Sequence, residues 1–140
     1  MFKKIIILSC ILLFSSVVNA SEIRFYEVKN YKELLSQLNQ AAENDFPVFL
    51  YIHADWCYVC GYMERDIWSQ KRVVSALNKN FLNLSVDITR MNKEKDEMLN
   101  YLNVDSTPAY FFYNKSGVLK HRQGGYMIAD ELLEQSDNLK

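Results

Sequence analysis

Two cysteines that directly follow an apolar run constrain the fold more than any other feature of this chain. The run 47–52 (PVFLYI) has the composition of a strand buried on both faces, and we expect a helix to begin at about Cys57. The unpaired N–H groups and the positive dipole end of that helix favour a thiolate at Cys57. Cys60 lies about one turn further along the same helix face, where it can close a disulfide with Cys57. The arrangement is typical of a redox-active pair.

The beginning of the chain has the composition of a secretory signal peptide. A short basic start precedes an apolar run at 5–14, and the small residues of 18–20 (VNA) form a cleavage site. The apolar run is too short for a permanent transmembrane helix. We therefore expect residues 1–20 to be removed, leaving one domain at 21–140 that is periplasmic or secreted and has no stable membrane insertion.

The third cysteine of the chain, Cys10, lies within this leader. The residues around it also resemble a lipoprotein box, but the apolar stretch continues past Cys10 and a better cleavage site follows. Without the leader, Cys57 and Cys60 are the only cysteines, so no other bridge can form. Export matters chemically because an oxidising compartment allows their disulfide to persist.

The charge balance excludes several classes of partner. The chain has 16 Lys and Arg against 17 Asp and Glu, a net charge of −1, and loss of the two leader lysines would make it −3. Such a mixed, slightly acidic composition provides no basic patch for nucleic acid or anionic lipid. We expect a monomer with a single core of its own.

The rest of the pattern alternates strands and helices. Strands are expected at 22–28, 47–52, 82–88, 109–113 and 118–122, and helices at about 57 and over 31–42, 73–77, 91–102 and 128–133. Asn30 and Glu33 have the spacing of a capping box for the first helix, and Ser69 is expected to cap the one that carries 73–77. The alternation of apolar and polar residues over 82–88 predicts a half-buried strand.

The order β-α-β-α-β-α-β-β-α, with Cys-x-x-Cys after the second strand, resembles the thioredoxin fold. The resemblance covers nearly all of 21–140 and rests on two motifs, 54–60 (ADWCYVC) and 104–109 (VDSTPA). With Glu64 four residues past the second cysteine, the chain is similar to periplasmic thioredoxin-like domains, among them the C-terminal domain of the DsbD proteins. The resemblance implies an α/β fold in which helices flank both faces of a central mixed sheet, with Cys-x-x-Cys at a helix N-terminus.

The resemblance also implies a role for individual residues. Cys57 would be the exposed nucleophile that attacks a partner disulfide, and Cys60 the buried thiol that resolves the mixed disulfide. Pro108 would be a cis proline facing the thiols, while the Thr107 backbone pairs with the bound substrate segment. A trans proline that opens a strand is the alternative for Pro108. Trp56 would form a packing wall beside the thiols.

Two departures from the family pattern concern the group that accepts the proton of Cys60 and the reduction potential of the cysteine pair. Where thioredoxins usually carry a buried aspartate, this chain has Tyr51. Glu64 could replace that acid, because its spacing from Cys57 and Cys60 allows a shared helix face, or it could be a solvated surface carboxylate. The dipeptide 58–59 carries no cation to stabilise the thiolate, which favours a moderately reducing couple.

Aromatic and histidine side chains leave further alternatives open. Tyr58 and Tyr62 are either ordinary structural aromatics or an apolar rim that accepts a partner protein. His53 and His121 could join the two cysteines in a zinc site, but the second close-spaced ligand pair of such sites is missing, and we expect no metal. Cu(I) capture by a dithiolate is chemically easier.

The function that we expect is therefore an exported thiol:disulfide oxidoreductase, a reductase or electron relay without a cofactor. Its partners would be client proteins that exchange disulfides with Cys57 and Cys60, and an upstream redox donor protein. The alternative is a metallochaperone or substrate-holding module that uses the same pair to capture Cu(I) or a client.

Overall fold

A computed structural model describes residues 20–139 of this chain. The predicted signal peptide and Cys10 lie outside the described residues, except for Ala20. Within 20–139, none of the helices has the length and hydropathy that a membrane span requires.

The described residues form strands and helices in the predicted alternation. In chain order the elements are β1 (Phe25–Glu27), α1 (Tyr31–Glu43), β2 (Val48–His53), α2 (Tyr58–Asp66), α3 (Lys71–Asn80), β3 (Leu82–Asp87), α4 (Lys93–Leu102), β4 (Ala109–Tyr113), β5 (Leu119–Gly124) and α5 (Ala129–Asp137). The first strand is shorter than predicted, and the last one ends two residues later.

The strands form one mixed sheet in the order β1-β3-β2-β4-β5. The β1–β3 and β3–β2 pairs are parallel, whereas β2–β4 and β4–β5 are antiparallel. The central strand β2 therefore lies between β3, which runs in the same direction, and β4, which runs in the opposite direction. Its carboxyl end lies next to the end of β3 and the start of β4.

Each face of the sheet has its own apolar cluster covered by helices. Leu50 and Ile52 pack on one face with residues of α1 and α4, whereas Phe49 and Tyr51 pack on the other with residues of α2, α3 and α5. Successive strand side chains point to opposite faces, so β2 contributes to both clusters, and its run must be apolar throughout. The predicted α/β architecture, with helices on both faces of a mixed sheet, is confirmed.

The prediction of a half-buried β3 is wrong. Both of its faces are covered, and the polar residues Asn83 and Ser85 are buried along with Leu84 and Val86. The Asn83 side-chain amide donates a hydrogen bond to the carbonyl of Leu77 at 3.2 Å. Because the amide satisfies a carbonyl in the last turn of α3, a polar residue is tolerated inside the sheet.

Three predictions at helix ends are also wrong. Gln70, not Ser69, precedes α3, and the Ser69 hydroxyl instead donates to the Arg65 carbonyl of α2 at 2.6 Å. The helices predicted over 91–102 and 128–133 begin at Lys93 and Ala129, so Met91 and Ile128 precede them, and each is about half exposed. Apolar periodicity alone does not mark where a helix begins.

The start of α1 confirms Asn30 as the predicted N-cap, although Glu33 bonds the Lys29 N–H where a capping box would bond that of Asn30. The Asn30 carboxamide accepts the Glu33 N–H at 2.9 Å, and the Glu33 carboxylate accepts the Lys29 N–H at 2.8 Å. The Tyr26 hydroxyl also donates to Glu33, and this hydrogen bond is the main reason that the pKa of Glu33 is lowered. The side chains thus satisfy two backbone N–H groups at the entrance of the helix.

We expect Asn30→Ala to lower the free energy of unfolding by about 1 kcal/mol, because the first turn of α1 loses its side-chain cap. Urea denaturation followed by circular dichroism would measure the change. Asn39→Ala, at an exposed position within α1, is the matched control and should be neutral or slightly stabilising. Equal effects of the two substitutions would show that the cap contributes nothing.

Candidate active site

The two cysteines lie where β2 passes into α2. Residues 54–57 form a tight turn in which the Cys57 N–H donates to the Ala54 carbonyl at 3.1 Å. Cys57 is the N-cap residue of α2, and its sulfur accepts the Cys60 N–H at 3.2 Å. A side-chain acceptor at this position normally satisfies an unpaired N–H group of the first turn. The sulfur of Cys57 therefore lies at the positive end of the helix dipole.

Cys57 and Cys60 are joined by a disulfide, with their Cα atoms 5.2 Å apart. Cys60 is 1% exposed and Cys57 is 8% exposed, so Cys57 is the more accessible of the two. The prediction of an exposed Cys57 needs correction, because the residue is largely buried in this disulfide form. Both cysteines belong to the apolar cluster on the α1 and α4 face of the sheet.

The proline loop before β4 lies at the same end of the sheet. The Thr107–Pro108 peptide bond is cis, the geometry predicted from the sequence, and Pro108 is buried. Ala109 is the register partner of Ile52 in the antiparallel β2–β4 pair. Since β2 ends where β4 begins, this register brings the loop to the edge of the sheet from which the cysteine turn emerges.

The Trp56 side chain belongs to the cysteine turn and lies beside the proline loop. Its side chain is 63% exposed, and its indole N–H donates to the Thr89 carbonyl at 3.2 Å. Trp56 and Thr107 border a cavity of about 360 Å³ whose other lining residues include Ile88 and Leu99. The wall predicted for Trp56 thus faces an apolar recess beside the proline loop.

Tyr58 and Tyr62 form a pair on the outer side of α2. Tyr58 is 78% exposed, and its hydroxyl accepts a hydrogen bond from the Tyr62 hydroxyl at 3.0 Å. The rings meet edge to face with centroids 4.9 Å apart, and the Arg65 guanidinium lies 4.7 Å from the centre of the Tyr62 ring. The two rings therefore present an ordered aromatic surface next to Cys57.

Glu64 and Tyr51 border a second cavity, of about 730 Å³, on the other side of the sheet from the disulfide. Glu64 is exposed, and no hydrogen bond within residues 20–139 joins it to either cysteine. Tyr51 is buried, and burial raises the pKa of its hydroxyl well above the ordinary value. A neutral phenol therefore lies where the resemblance to thioredoxins would place an aspartate, and Glu64 borders the same cavity.

The histidines lie apart from each other. His53 ends β2 and stacks on Tyr51 with centroids 4.9 Å apart, whereas His121 is in β5 and contacts Gln123. In the part of the chain that the structure describes, no group of three or more His, Cys, Asp or Glu side chains is arranged to hold a metal ion.

The sequence analysis assigned no role to Thr89 or Asp87, but Thr89 contacts the cysteine turn and Asp87 bonds to Thr89. The Thr89 hydroxyl and backbone N–H both donate to one Asp87 carboxylate oxygen, at 2.5 and 2.8 Å, and the Thr89 hydroxyl accepts the Asp55 N–H at 2.8 Å. Partial burial raises the pKa of Asp87, but the Thr89 hydrogen bonds and nearby His53 outweigh it and lower the pKa overall. The parallel β2–β3 pair could have signalled these contacts, because residues that follow both strands emerge at one edge.

A family model described as thioredoxin-like matches residues 29–115 of the chain, which include both motifs. The thiol:disulfide interchange protein DsbD of Vibrio vulnificus is 33% identical over 122 residues, which are 86% of this chain and 20% of that protein. DsbD of Vibrio cholerae is 32% identical over 115 residues, 81% of this chain and 19% of that protein. The chain thus spans about a fifth of the length of these relatives.

Solved structures are similar over most of the chain. The C-terminal domain of DsbD from Neisseria meningitidis, in the oxidised form, has a TM-score of 0.69 at 22% identity, covering 82% of this chain and 100% of that one. Thioredoxin NaTrxh from Nicotiana alata has a TM-score of 0.68 at 17% identity, covering 86% of this chain and 96% of that one. At these identities the similarity establishes the fold.

After reduction, we expect Cys57 to alkylate much faster than Cys60 near neutral pH. The helix N-terminus favours its thiolate, and its side chain is the more accessible of the two. Iodoacetamide labelling followed by peptide mass analysis would give both rates, with Cys57→Ser and Cys60→Ser as controls for peptide assignment. Equal rates, or faster labelling of Cys60, would contradict the assignment of Cys57 as the nucleophile.

We expect Asp87→Asn to destabilise the protein at neutral pH but not in acid. A lowered carboxyl pKa means that ionised Asp87 stabilises the fold above the ordinary Asp value of about 3.9, and that this contribution disappears as pH falls through the lowered value. The difference in unfolding free energy between wild type and variant should be present at about pH 5 and above and should shrink below about pH 4.

Urea denaturation across this pH range measures the Asp87 difference. Asp105→Asn, at an exposed position in the loop before β4, is the control for general charge effects. If the loss of unfolding free energy in Asp87→Asn does not change with pH, the ionised carboxylate of Asp87 does not stabilise the fold.

Proposed function

The chain belongs to the thioredoxin-like family, and we propose that it is a thiol:disulfide oxidoreductase that acts as a reductase or electron relay between proteins. The observation that carries the proposal is the disulfide between Cys57, the N-cap residue of α2, and the more deeply buried Cys60. The names of the relatives, thiol:disulfide interchange proteins, support the same chemistry.

In the proposed cycle the reduced protein transfers two electrons to a partner disulfide. The Cys57 thiolate attacks one partner sulfur, a bond forms between the two proteins, and the second partner sulfur leaves as a thiolate. Cys60 loses its proton and attacks the Cys57 sulfur, which releases the first partner sulfur and forms the intramolecular disulfide. An upstream donor dithiol reverses these steps and restores the reduced pair. No cofactor is required, because both electrons reside in sulfur bonds.

We propose that the partner binds across the edge formed by the cysteine turn and the proline loop. An extended partner segment would pair with the backbone at Thr107, next to Pro108. Trp56 would contact a partner side chain in the adjoining recess, and Tyr58 would add exposed aromatic surface. Exposed aromatic side chains with restricted motion suit this role, because little conformational entropy is lost on binding.

Glu64 is the proposed proton acceptor for Cys60. Tyr51 cannot take a proton, since it is a neutral phenol whose pKa is raised by burial. Glu64 carries an exposed carboxylate on the same helix as Cys60 and makes no ion pair within residues 20–139. Because no hydrogen bond links Glu64 to Cys60, and Glu64 faces the cavity on the other side of the sheet, the proton would pass through solvent water to reach it.

We further propose that residues 1–20 are cleaved as a signal peptide and that 21–140 acts as a monomeric domain in the periplasm or outside the cell. The composition of the leader supports export. No observation among the described residues favours the alternative in which the same pair captures Cu(I) or holds a client.

Turnover of a protein disulfide tests the proposed activity. With dithiothreitol as the electron source, the domain 21–140 should accelerate the reduction of insulin, and Cys57→Ser should abolish that acceleration. Cys60→Ser should accumulate a mixed disulfide that is visible on a non-reducing gel, because the resolving thiol is missing. Insulin reduction no faster than with dithiothreitol alone would overturn the proposal.

We expect Glu64→Gln to slow the resolution of the mixed disulfide by about tenfold or more and to alter its pH dependence, because the variant cannot accept a proton. Rapid acid quenching of the reaction with a model disulfide, at several pH values, would measure this step. Glu94→Gln, at an exposed position in the first turn of α4, is the control. An unchanged profile would make Glu64 a surface carboxylate and solvent the acceptor.

A further inference from the structure

We propose that Thr89 is a positioning residue that holds the turn from which Cys57 attacks. The turn 54–57 is closed by one hydrogen bond of its own, from the Cys57 N–H to the Ala54 carbonyl. Its two central residues, Asp55 and Trp56, both bond to Thr89, which is more than thirty residues away in sequence. Thr89 thus bonds to both of the residues that the turn's own hydrogen bond does not include.

The two contacts use different atoms of Thr89. Its hydroxyl oxygen accepts the Asp55 backbone N–H at 2.8 Å, and its backbone carbonyl accepts the Trp56 indole N–H at 3.2 Å. One contact therefore restrains the backbone of the turn, and the other restrains a side chain. Together they fix the segment immediately before the N-cap residue of α2.

Asp87 determines the direction of the Thr89 hydroxyl. The hydroxyl proton points to the Asp87 carboxylate, at 2.5 Å, so a lone pair of the same oxygen remains available to the Asp55 N–H. The Thr89 N–H also donates to this carboxylate oxygen, at 2.8 Å, and holds the residue itself in place. A hydrogen bond to an ionised acceptor is stronger than a neutral one, which makes the arrangement rigid.

Thr89 also explains how Trp56 combines exposure with a defined orientation. Nearly two thirds of Trp56 is accessible to solvent, yet the only polar atom of its side chain is bound to the segment that follows β3. The ring is consequently held beside Ile88, which lines the recess next to the proline loop. The same residue that fixes the cysteine turn thus also orients a wall of the recess.

The consequence concerns the reactivity of Cys57. Its sulfur benefits from the helix N-terminus only while it remains aligned with the Cys60 N–H. Loss of the Thr89 hydroxyl would free the Asp55 backbone and allow Cys57 to sample orientations without that hydrogen bond. This inference rests on the proposed function in taking Cys57 as the attacking thiol, but its test needs no partner protein.

The test uses Thr89→Val, which keeps the shape of the side chain and removes the hydroxyl, and Thr89→Ser, which restores it. The rate of Cys57 alkylation by iodoacetamide is measured against pH in the reduced protein. We expect Thr89→Val to shift the midpoint of the profile to higher pH and to lower the rate at pH 7 by about fivefold, as for the loss of one hydrogen bond. Thr89→Ser should follow the wild-type profile.

A second readout is the motion of Trp56. The chain has two tryptophans, so in a Trp68→Phe background the fluorescence anisotropy reports Trp56 alone. Thr89→Val keeps the backbone carbonyl that accepts the indole N–H but frees the Asp55 backbone beside Trp56, so we expect it to lower the anisotropy. Thr89→Ser should leave the anisotropy unchanged. Ser69→Ala is the matched control, because it removes a hydroxyl that bonds the other end of α2.

An unchanged alkylation midpoint in Thr89→Val, or equal shifts in the Val, Ser and control variants, would overturn the positioning role. Thermal unfolding of each variant identifies a general loss of structure, and the Ser variant then remains as the comparison. If the wild type fails to reduce insulin while Thr89→Val still shifts the midpoint, the proposed function fails and the positioning role stands. If the wild type reduces insulin and the midpoint does not move in Thr89→Val, the positioning role fails and the proposed function stands.

Discussion

The position of every candidate site residue depends on the burial of β2. This strand is hydrogen-bonded along both edges, parallel to β3 and antiparallel to β4, and apolar clusters cover both of its faces. A strand held in this way has a fixed direction and register. The chain that leaves it must turn at one defined place, and Cys57 and Cys60 follow immediately.

The mixed sheet brings three segments together at the end of β2: the cysteine turn, the residues that follow β3, and the proline loop. Because β3 is parallel to β2, the residues that follow both strands emerge together, and Thr89 meets Asp55 and Trp56. Because β4 is antiparallel to β2, its beginning lies at the same edge, and the proline loop arrives there as well. A sheet with all neighbours parallel would have sent that loop to the opposite end.

The two faces of the sheet near the disulfide differ in polarity. The cysteines themselves lie in the cluster on the α1 and α4 face, where little solvent reaches them. On the other face, Tyr51 forms part of a large cavity that Glu64, His53 and Asp87 also border. The titratable groups at this cavity therefore lie on the opposite side of the sheet from the cluster that holds the disulfide.

Local patterns in the sequence determined the redox pair, the alternation of strands and helices, and the cap at Asn30. Each depends on residues within a turn or a strand of one another, which is the range over which spacing and capping act. The same reasoning failed for Ser69 as a cap and for β3 as a half-buried strand, since a neighbouring helix and a second cluster decided those outcomes. Only the tertiary structure decided how deeply Cys57 is buried, where Glu64 lies, and that Thr89 holds the cysteine turn. These properties depend on contacts between segments far apart in the chain, which strand pairing and helix packing bring together.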